Sequence, residues 1–169
     1  IVKIFYITFF LILVIFSVNV HGKILRSGDE NAKVTVKVFS SLTCPACANF
    51  HSEIYYDLKK DFIDTGLVKF EHHPFPLDLA ALNAEIILRC SIIDEKKFEL
   101  LGIIYKKQNS WAVGSDINRI NESIKRIGTE FNMKEEKMNS CLKNDKSQDE
   151  ILNQRIEAQK KYKIQSTPT

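Results

Sequence analysis

The chain has 169 residues, of which 44% are hydrophobic, and this is enough for one globular domain with a real core. Its formal net charge is only +3, and its lysine pairs are interspersed with acidic residues, which is typical of solvated helix faces. No basic run is interleaved with aromatic side chains, so the composition argues against nucleic-acid binding.

The N-terminal segment is apolar. Lys3 precedes a run from Ile4 to Val20 that contains no charged residue. As a helix this run is about 25 Å long, slightly short of a membrane's hydrocarbon core. We therefore predict that residues 1–22 are either an export signal peptide that is cleaved or a membrane anchor that is not. Both alternatives place the rest of the chain outside the cytoplasm, where disulfides persist.

The next part of the chain has the pattern of a β-α-β unit. Residues 34–39 alternate between valine and other residues, which predicts a strand. The motif Cys44-Pro45-Ala46-Cys47 follows and opens a predicted helix that extends to about Ile63. Residues 67–73 alternate again and end at Pro74, which predicts a second strand.

The spacing of Cys44 and Cys47 is typical of a site for thiol-disulfide exchange. Two intervening residues let both sulfurs lie at one helix N-terminus, close enough to bond. Unpaired N–H groups and the helix dipole favour the thiolate of Cys44, which is the predicted nucleophile. Cys47 lies one turn further and is the predicted resolving thiol. Zinc binding is the alternative, but zinc needs two more ligands at comparable spacing, which the sequence does not offer, so no metal is predicted.

The remaining chain has the periodicity of a series of helices. One of them carries isoleucines repeated at three and four residues, which predicts a narrow apolar stripe facing a core. Short polar residues mark the starts of the helices. The predicted first residues or caps are Asp78, Asp94, Ser115 and, in a capping box with Glu150, Ser147.

Cys90 and Cys141 fall on or beside the apolar stripes of two of these helices. Pairing would close a loop of about fifty residues, worth about 4 kcal/mol on the chain-entropy model. The alternative is two buried free thiols, because free cysteine is among the most buried residue types.

Together these features resemble the DsbA-like thioredoxin family of bacterial envelopes. Ser41–His51 resembles the active-site segment of that family, and Phe75–Asp78 resembles the turn that leads into its helical domain. Thr167-Pro168 is similar to the loop that packs beside the redox cysteines. The resemblance implies that Pro168 is cis and that Thr167 contacts the substrate backbone. It also implies a structural disulfide, because one branch of the family has a second cysteine pair like Cys90 and Cys141.

The implied fold class is α/β, a thioredoxin-like fold with an inserted all-helical domain. The predicted divisions are a thioredoxin-like part over residues 23–76, the helical insertion over 77–146, and a return to the thioredoxin-like part over 147–169. The two strands and the helix that follow the proline loop in the family are expected to be missing from this chain.

The resemblance also implies a function. The protein would be a monomeric thiol-disulfide oxidoreductase of the periplasm or cell envelope that uses no cofactor. It would introduce disulfides into reduced, unfolded exported proteins and be reoxidised by a DsbB-type membrane oxidase. Two alternatives stay open. One is a disulfide isomerase or reductase, favoured by Ala46 and Thr167, and the other is a non-enzymatic metal-binding or redox-sensing protein.

Two residues depart from the family pattern. The best known members have histidine at the position of Ala46, where it stabilises the thiolate of the nucleophile. Because one pKa unit corresponds to about 1.4 kcal/mol, or about 30 mV for two electrons, we expect a potential lower by tens of millivolts. The family often has a buried acid at the position of Val38. Proton transfer from Cys47 must therefore use another group or water, and Lys37 and Glu71 are the candidate groups.

Overall fold

The computed structural model describes residues 24–91 and 94–169, so the predicted signal or anchor lies outside the described residues. None of the helices in these two ranges is long and apolar enough to cross a membrane. The elements are β1 (Leu25–Ser27), β2 (Val34–Ser40), α1 (Pro45–Asn49), α2 (Tyr55–Leu58), β3 (Val68–Pro74), α3 (Leu79–Cys90), α4 (Asp94–Lys106), α5 (Gln108–Trp111), α6 (Ile117–Glu130), α7 (Glu135–Leu142) and α8 (Asp145–Tyr162).

The three strands form one sheet in the order β1-β3-β2. Strand β1 pairs with β3 antiparallel, and β2 pairs with β3 parallel, with Val38 opposite His72. A parallel pair needs a crossover connection, and the helical stretch between β2 and β3 supplies it. The predicted β-α-β unit is therefore confirmed.

The crossover is helical throughout. The π-helical segment Phe50–Ile54 joins α1 to α2. A second π-helical segment, Lys59–Ile63, follows α2 and ends the crossover at Ile63, the residue that the sequence predicted. Its apolar side packs on one face of the sheet, where Tyr55 of the crossover meets Val38 of β2 and Phe70 of β3. This packing fixes the direction in which the start of α1 leaves the sheet.

Helices α3 to α7 pack around a single cluster of buried side chains. All five helices contribute to it, and Ile124 and Ile127 of the predicted isoleucine stripe are among its members. Leu42 and Cys47 belong to the same cluster, although they lie beside and within α1. The core of the helical layer is therefore continuous with the CxxC motif.

The opposite face of the sheet is covered by α8. Phe39 of β2 and Phe75 pack there against Ala158 of α8 and Ile164. Helix α8 ends at Tyr162, and the left-handed backbone of the next residue, Lys163 (φ 58°), turns the chain back towards the sheet. The last residues of the chain are thereby directed to the edge of β2.

The structure corrects two of the predicted helix starts. The cap of α6 is Asp116 and not Ser115, since the Asp116 side chain accepts hydrogen bonds from two N–H groups of the first turn. An aspartate has the added advantage of a negative charge at the positive end of the helix dipole. Helix α8 is capped by Asn144, which accepts from the N–H of Ser147, so Ser147 lies in the first turn and the predicted capping box is wrong. The predicted cap at Asp78 is confirmed by a 2.7 Å bond from the Ala81 N–H.

A disulfide joins Cys90, at the end of α3, to Cys141 in α7, with the two Cα atoms 6.1 Å apart. The two cysteines are separated by 51 residues in the sequence. The bond therefore closes a long loop that contains α4, α5 and α6.

We predict that replacing both Cys90 and Cys141 by alanine lowers the free energy of unfolding by about 4 kcal/mol, because the unfolded chain regains the entropy that the closed loop removes. Urea unfolding of a Cys44→Ser/Cys47→Ser background, with and without the two alanines, measures this, since only one disulfide can then form. A difference below about 1 kcal/mol would mean that the loop closure does not set the stability.

Candidate active site

The two free cysteines lie at the N-terminus of α1 in different surroundings. Cys44 is the N-cap residue of α1, with extended backbone (φ −80°, ψ 118°), and Pro45 occupies the first turn, where its missing N–H costs little. The Cys44 thiol is partly exposed, whereas Cys47 is 1% exposed. The carbonyl of Cys44 accepts hydrogen bonds from the N–H groups of Cys47 (3.1 Å) and Ala48 (3.2 Å), which closes the first turn.

A loop from the end of the chain lies against Cys44. The Thr167-Pro168 peptide bond in this loop is cis. The Cys44 thiol donates to the Thr167 carbonyl at 3.4 Å. Main-chain hydrogen bonds in both directions between Phe39 and Thr169, at 2.9 and 3.2 Å, attach the loop to the free edge of β2. The structure thus brings Cys44, Cys47 and the Thr167-Pro168 pair together, although they are more than a hundred residues apart in the sequence.

The environment of Cys44 favours its thiolate. Burial raises the pKa of the Cys44 thiol, but hydrogen bonding from the Thr167 side chain, from Cys47 and from the Ala46 N–H outweighs burial, so the pKa is lower than that of an ordinary thiol. The N–H donors are the unpaired groups at the start of α1, as the sequence predicted. The Thr167 hydroxyl is buried and has no hydrogen-bond partner in the described part of the chain while the Cys44 thiol is neutral. Its lowering effect on the pKa of Cys44 reflects the hydrogen bond that it can donate to the charged sulfur.

Cys47 has the opposite tendency. Burial is the main cause that raises the pKa of its thiol to about 12; the neighbouring sulfur of Cys44 acts in the same direction, and hydrogen bonds from Ser41 and Thr167 oppose it. At neutral pH the outer sulfur therefore ionises first and the inner one stays protonated. This is the asymmetry that a nucleophile and a resolving thiol require.

Polar contacts tie the segment before Cys44 to the start of α3. The Thr43 hydroxyl donates to the Asp78 carboxylate at 2.7 Å, and the Leu77 N–H donates to the Ser41 hydroxyl at 3.3 Å. Asp78 therefore both caps α3 and holds the loop that carries the nucleophile. Sequence analysis identified the cap but missed the second contact, because a hydroxyl 35 residues away gives no local signal.

A second contact that the sequence did not predict comes from α5. The Gln108 side-chain amide donates to the carbonyls of Leu42 at 2.8 Å and Cys44 at 3.1 Å. Gln108 itself is only 6% exposed. A lone glutamine in a helical segment belongs to no motif, so nothing in the sequence distinguished it from a surface residue.

The prediction that Lys37 and Glu71 substitute for a buried acid near Cys47 is wrong. Lys37 and Glu71 are register partners on adjacent strands, one residue before the pair Val38 and His72, and successive residues of a strand face opposite sides. Val38 faces the crossover helix that carries Cys47, so Lys37 and Glu71 face the other side. Glu71 is bound there by Arg26 and His73, at 3.1 and 2.9 Å.

Glu85 of α3 is a buried carboxylate beside His72, which is the register partner of Val38 and faces the side of the crossover helix. It pairs with His72 at 3.1 Å and with Arg89 at 2.9 Å. Burial raises the pKa of Glu85, but the charges and hydrogen bonds of His72 and Arg89 outweigh it and lower the pKa to about 2. Glu85 is therefore ionised and fully paired inside the protein.

The described residues do not bring three His, Cys, Asp or Glu side chains together in a group that could hold a metal ion.

His51, one turn after Cys47, packs between the rings of Tyr55 and Tyr105, with centroids 4.5 and 5.1 Å away. Burial lowers the pKa of His51 to about 4, so this histidine is neutral at physiological pH.

Comparison with known proteins agrees with this geometry. A family model described as thioredoxin matches residues 21–169. The chain belongs to the thioredoxin family. Among solved structures, α-DsbA1 of Wolbachia pipientis superposes with a TM-score of 0.79 and 28% identity, over 87% of this chain and 73% of that one. BdbD of Bacillus subtilis has the same fold, with a TM-score of 0.69 and 22% identity over 86% and 79% of the two chains. The predicted thioredoxin-like fold and the resemblance to DsbA-like proteins are confirmed.

The curated relatives are longer than this member of the thioredoxin family. A Rickettsia bellii protein, provisionally named a protein-disulfide oxidoreductase, is 32% identical over 126 residues, which are 74% of this chain and 47% of that protein. Disulfide bond formation protein D of Bacillus subtilis is 30% identical over 151 residues, 84% of this chain and 64% of that protein. The chain thus spans about half the length of the rickettsial relatives that it matches.

We predict that reduced protein gains thiolate absorbance at 240 nm in a step at a lower pH than an ordinary thiol does, because hydrogen bonds at the start of α1 stabilise the Cys44 thiolate and lower its pKa. The step is expected to vanish in Cys44→Ser and to persist in Cys47→Ser. The reverse pattern, with the step lost only in Cys47→Ser, would contradict the assignment of the two sulfurs.

Proposed function

We propose that the chain carries the active site of a protein thiol-disulfide oxidoreductase that introduces disulfides into exported proteins. The observation that supports this most directly is the pairing of a partly exposed, acidified thiol at Cys44 with a buried thiol at Cys47, beneath the loop of Thr167 and Pro168. An inert or purely structural cysteine pair has no need of this asymmetry.

The chemistry begins with an oxidised Cys44–Cys47 disulfide. A substrate thiolate attacks the Cys44 sulfur, forms a mixed disulfide with it and breaks the Cys44–Cys47 bond, whose electron pair goes to Cys47. Because the pKa of Cys47 is about 12, its sulfur then takes up a proton, which balances the one that the substrate thiol lost. The substrate's second thiolate then attacks the substrate sulfur that is bonded to Cys44. A disulfide forms within the substrate, the mixed disulfide breaks and Cys44 leaves as a thiolate. Two electrons have then passed from the substrate to the Cys44–Cys47 pair.

Thr167 and Pro168 lie where they can perform two roles in this reaction. The Thr167 side chain stabilises the Cys44 thiolate when Cys44 is the leaving group, as its effect on the pKa of that thiol indicates. The loop also lies beside the sulfur that the substrate must reach, so we propose that the substrate backbone runs along Thr167. Pro168 has no N–H and cannot compete for the acceptors of that backbone.

We also propose a cellular location and partners for the reaction. Residues 1–22 would export the chain to the periplasm or cell envelope, where it would act as a monomer and be reoxidised by a DsbB-type membrane oxidase. The proposed divisions are residues 23–76, 77–146 and 147–169, although α8 already begins at Asp145. The substrates would be reduced, unfolded exported proteins, recognised through their backbone.

The second candidate is an isomerase or reductase, and Ala46 favours it. Ala46 is exposed between the two cysteines and offers no charged or hydrogen-bonding side chain to the Cys44 thiolate. A less stabilised thiolate makes the dithiol form more reducing. The direction of exchange therefore depends on the reduction potential of the Cys44–Cys47 pair.

We predict that Cys47→Ala accumulates mixed disulfides between Cys44 and scrambled ribonuclease. The Cys44 thiolate attacks a ribonuclease disulfide and expels one of its two sulfurs as a thiolate, and no resolving thiol remains to release the substrate. Cys44→Ala is the matched control and should trap nothing. Non-reducing gel electrophoresis followed by mass spectrometry of the adducts measures the trapping. For the wild type, faster oxidation of reduced ribonuclease than rearrangement of the scrambled form identifies an oxidase.

A metal-binding protein would behave differently in the same set of variants. Both substitutions would lower the zinc content of the protein, and neither would form a mixed disulfide. That result would overturn the proposed exchange activity.

We predict that Ala46→His raises the reduction potential by tens of millivolts, because a histidine there can stabilise the Cys44 thiolate and each pKa unit is worth about 30 mV. Equilibration with a glutathione redox buffer measures the potential. Ala46→Gln is the control, since it adds a side chain of similar size without a positive charge. Equal potentials for the histidine and glutamine variants would show that charge at position 46 is not the determinant.

A further inference from the structure

Helix α5 is a single turn that holds one side chain against the CxxC motif. Trp111 fixes the turn from one end, since its ring is 1% exposed and its indole N–H donates to the Ile104 carbonyl at 2.8 Å. Lys107 fixes it from the other end through bonds of 2.7 and 2.6 Å to the two carboxylate oxygens of Glu130 in α6. The position of Gln108 is therefore determined by the helical layer.

The orientation of the Gln108 amide follows from its partners. It lies within hydrogen-bonding distance of two carbonyl oxygens, those of Leu42 and Cys44, at 2.8 and 3.1 Å. Only the NH₂ group can donate to a carbonyl, so the nitrogen must face both, and both of its N–H bonds are used. This one amide joins α5 to the loop on either side of Thr43, across 66 and 64 residues of sequence.

The carbonyl of Cys44 is a central acceptor of the site. It already receives the N–H groups of Cys47 and Ala48, which form the first turn of α1. The Gln108 amide adds a third donor, which comes from outside the helix. The peptide plane between Cys44 and Pro45 is thereby held from two sides, and with it the direction in which the Cys44 side chain leaves the backbone.

The two redox states depend on this support to different degrees. In the disulfide, the Cys44 sulfur is bonded to Cys47 and its position is fixed by that bond. In the dithiol, only hydrogen bonds keep the thiolate near the Ala46 N–H and the Thr167 side chain. Loosening the loop therefore costs the reduced form more than the oxidised form.

We propose that Gln108 is a positioning residue for the nucleophile: by holding the carbonyls of Leu42 and Cys44, it keeps the Cys44 sulfur at the start of α1 and links the redox state of the pair to the helical layer. The proposal rests on the proposed exchange chemistry of Cys44 and Cys47. Gln108 acts through the backbone of Cys44 and does not touch the substrate.

Gln108→Met tests the proposal, because methionine has a similar volume and removes both N–H donors. We expect the pKa of Cys44 to rise by about one unit and the glutathione equilibrium to shift about tenfold towards the disulfide. Gln108→Glu keeps the shape but turns oxygens towards the two carbonyls, and should shift both quantities in the same direction. Gln108→Asn is one carbon shorter, retains a donor group and should show a smaller shift.

Gln148→Met is the matched control. Gln148 also donates its side-chain amide to a backbone carbonyl, that of Leu142 at 3.1 Å, and it lies at the start of α8. We expect this variant to leave the pKa of Cys44 and the glutathione equilibrium unchanged, even where urea unfolding shows that it has lost stability. Its loss of stability gives the scale for a purely structural hydrogen bond.

The proposal is overturned if the folded Gln108 variants lose stability as Gln148→Met does but retain the wild-type pKa of Cys44 and the wild-type glutathione equilibrium. Should Gln108→Met fail to fold, the glutamate and asparagine variants decide the same question. Neither measurement needs a protein substrate. A failure of the proposed oxidase function would therefore appear in the ribonuclease assays, and a failure of the Gln108 proposal in the glutathione equilibrium.

Discussion

The parallel pairing of β2 with β3 determines where the reactive sulfur lies. Parallel strands require a crossover, and the crossover helix must begin beyond the carboxyl end of β2. Cys44 is the residue at which that helix starts, so it receives the unpaired N–H groups of the first turn. The same strand end binds the proline loop through Phe39, and both halves of the site therefore depend on one edge of one strand.

Burial then separates two chemically identical thiols. Cys47 lies in the core that α3 to α7 build, whereas Cys44 lies at the surface of that core. The helical layer therefore contributes directly to the redox site, because its side chains bury Cys47 and so keep that sulfur protonated. Contacts from α3 and α5, through Asp78 and Gln108, position the loop that carries the other sulfur.

Much of this arrangement could be predicted from the sequence, because the relevant signals are local. Alternation in residues 34–39 and the CxxC spacing predicted β2 and the start of α1, and a polar residue before an apolar run predicted the cap at Asp78. The cap of α6 was misplaced by one residue because serine and aspartate are both good caps and stand side by side. Glu71 was misassigned because the side of a sheet that a residue faces depends on which helix covers it, and that is a tertiary property. Gln108 could not be recognised at all, since its role exists only through two distant carbonyls.

The attachment of the proline loop has a consequence for how such a site can diverge. The bonds between Phe39 and Thr169 are made by main-chain atoms, and so is the acceptor that Thr167 offers to Cys44. The place of the loop is therefore encoded by the backbone, and the side chain at 167 is left free to change without moving it. Main-chain bonds therefore set the position of the proline loop, whereas the side chain at position 167 affects the reactivity of Cys44. A single substitution at position 167 can change that reactivity during evolution without changing the geometry of the site.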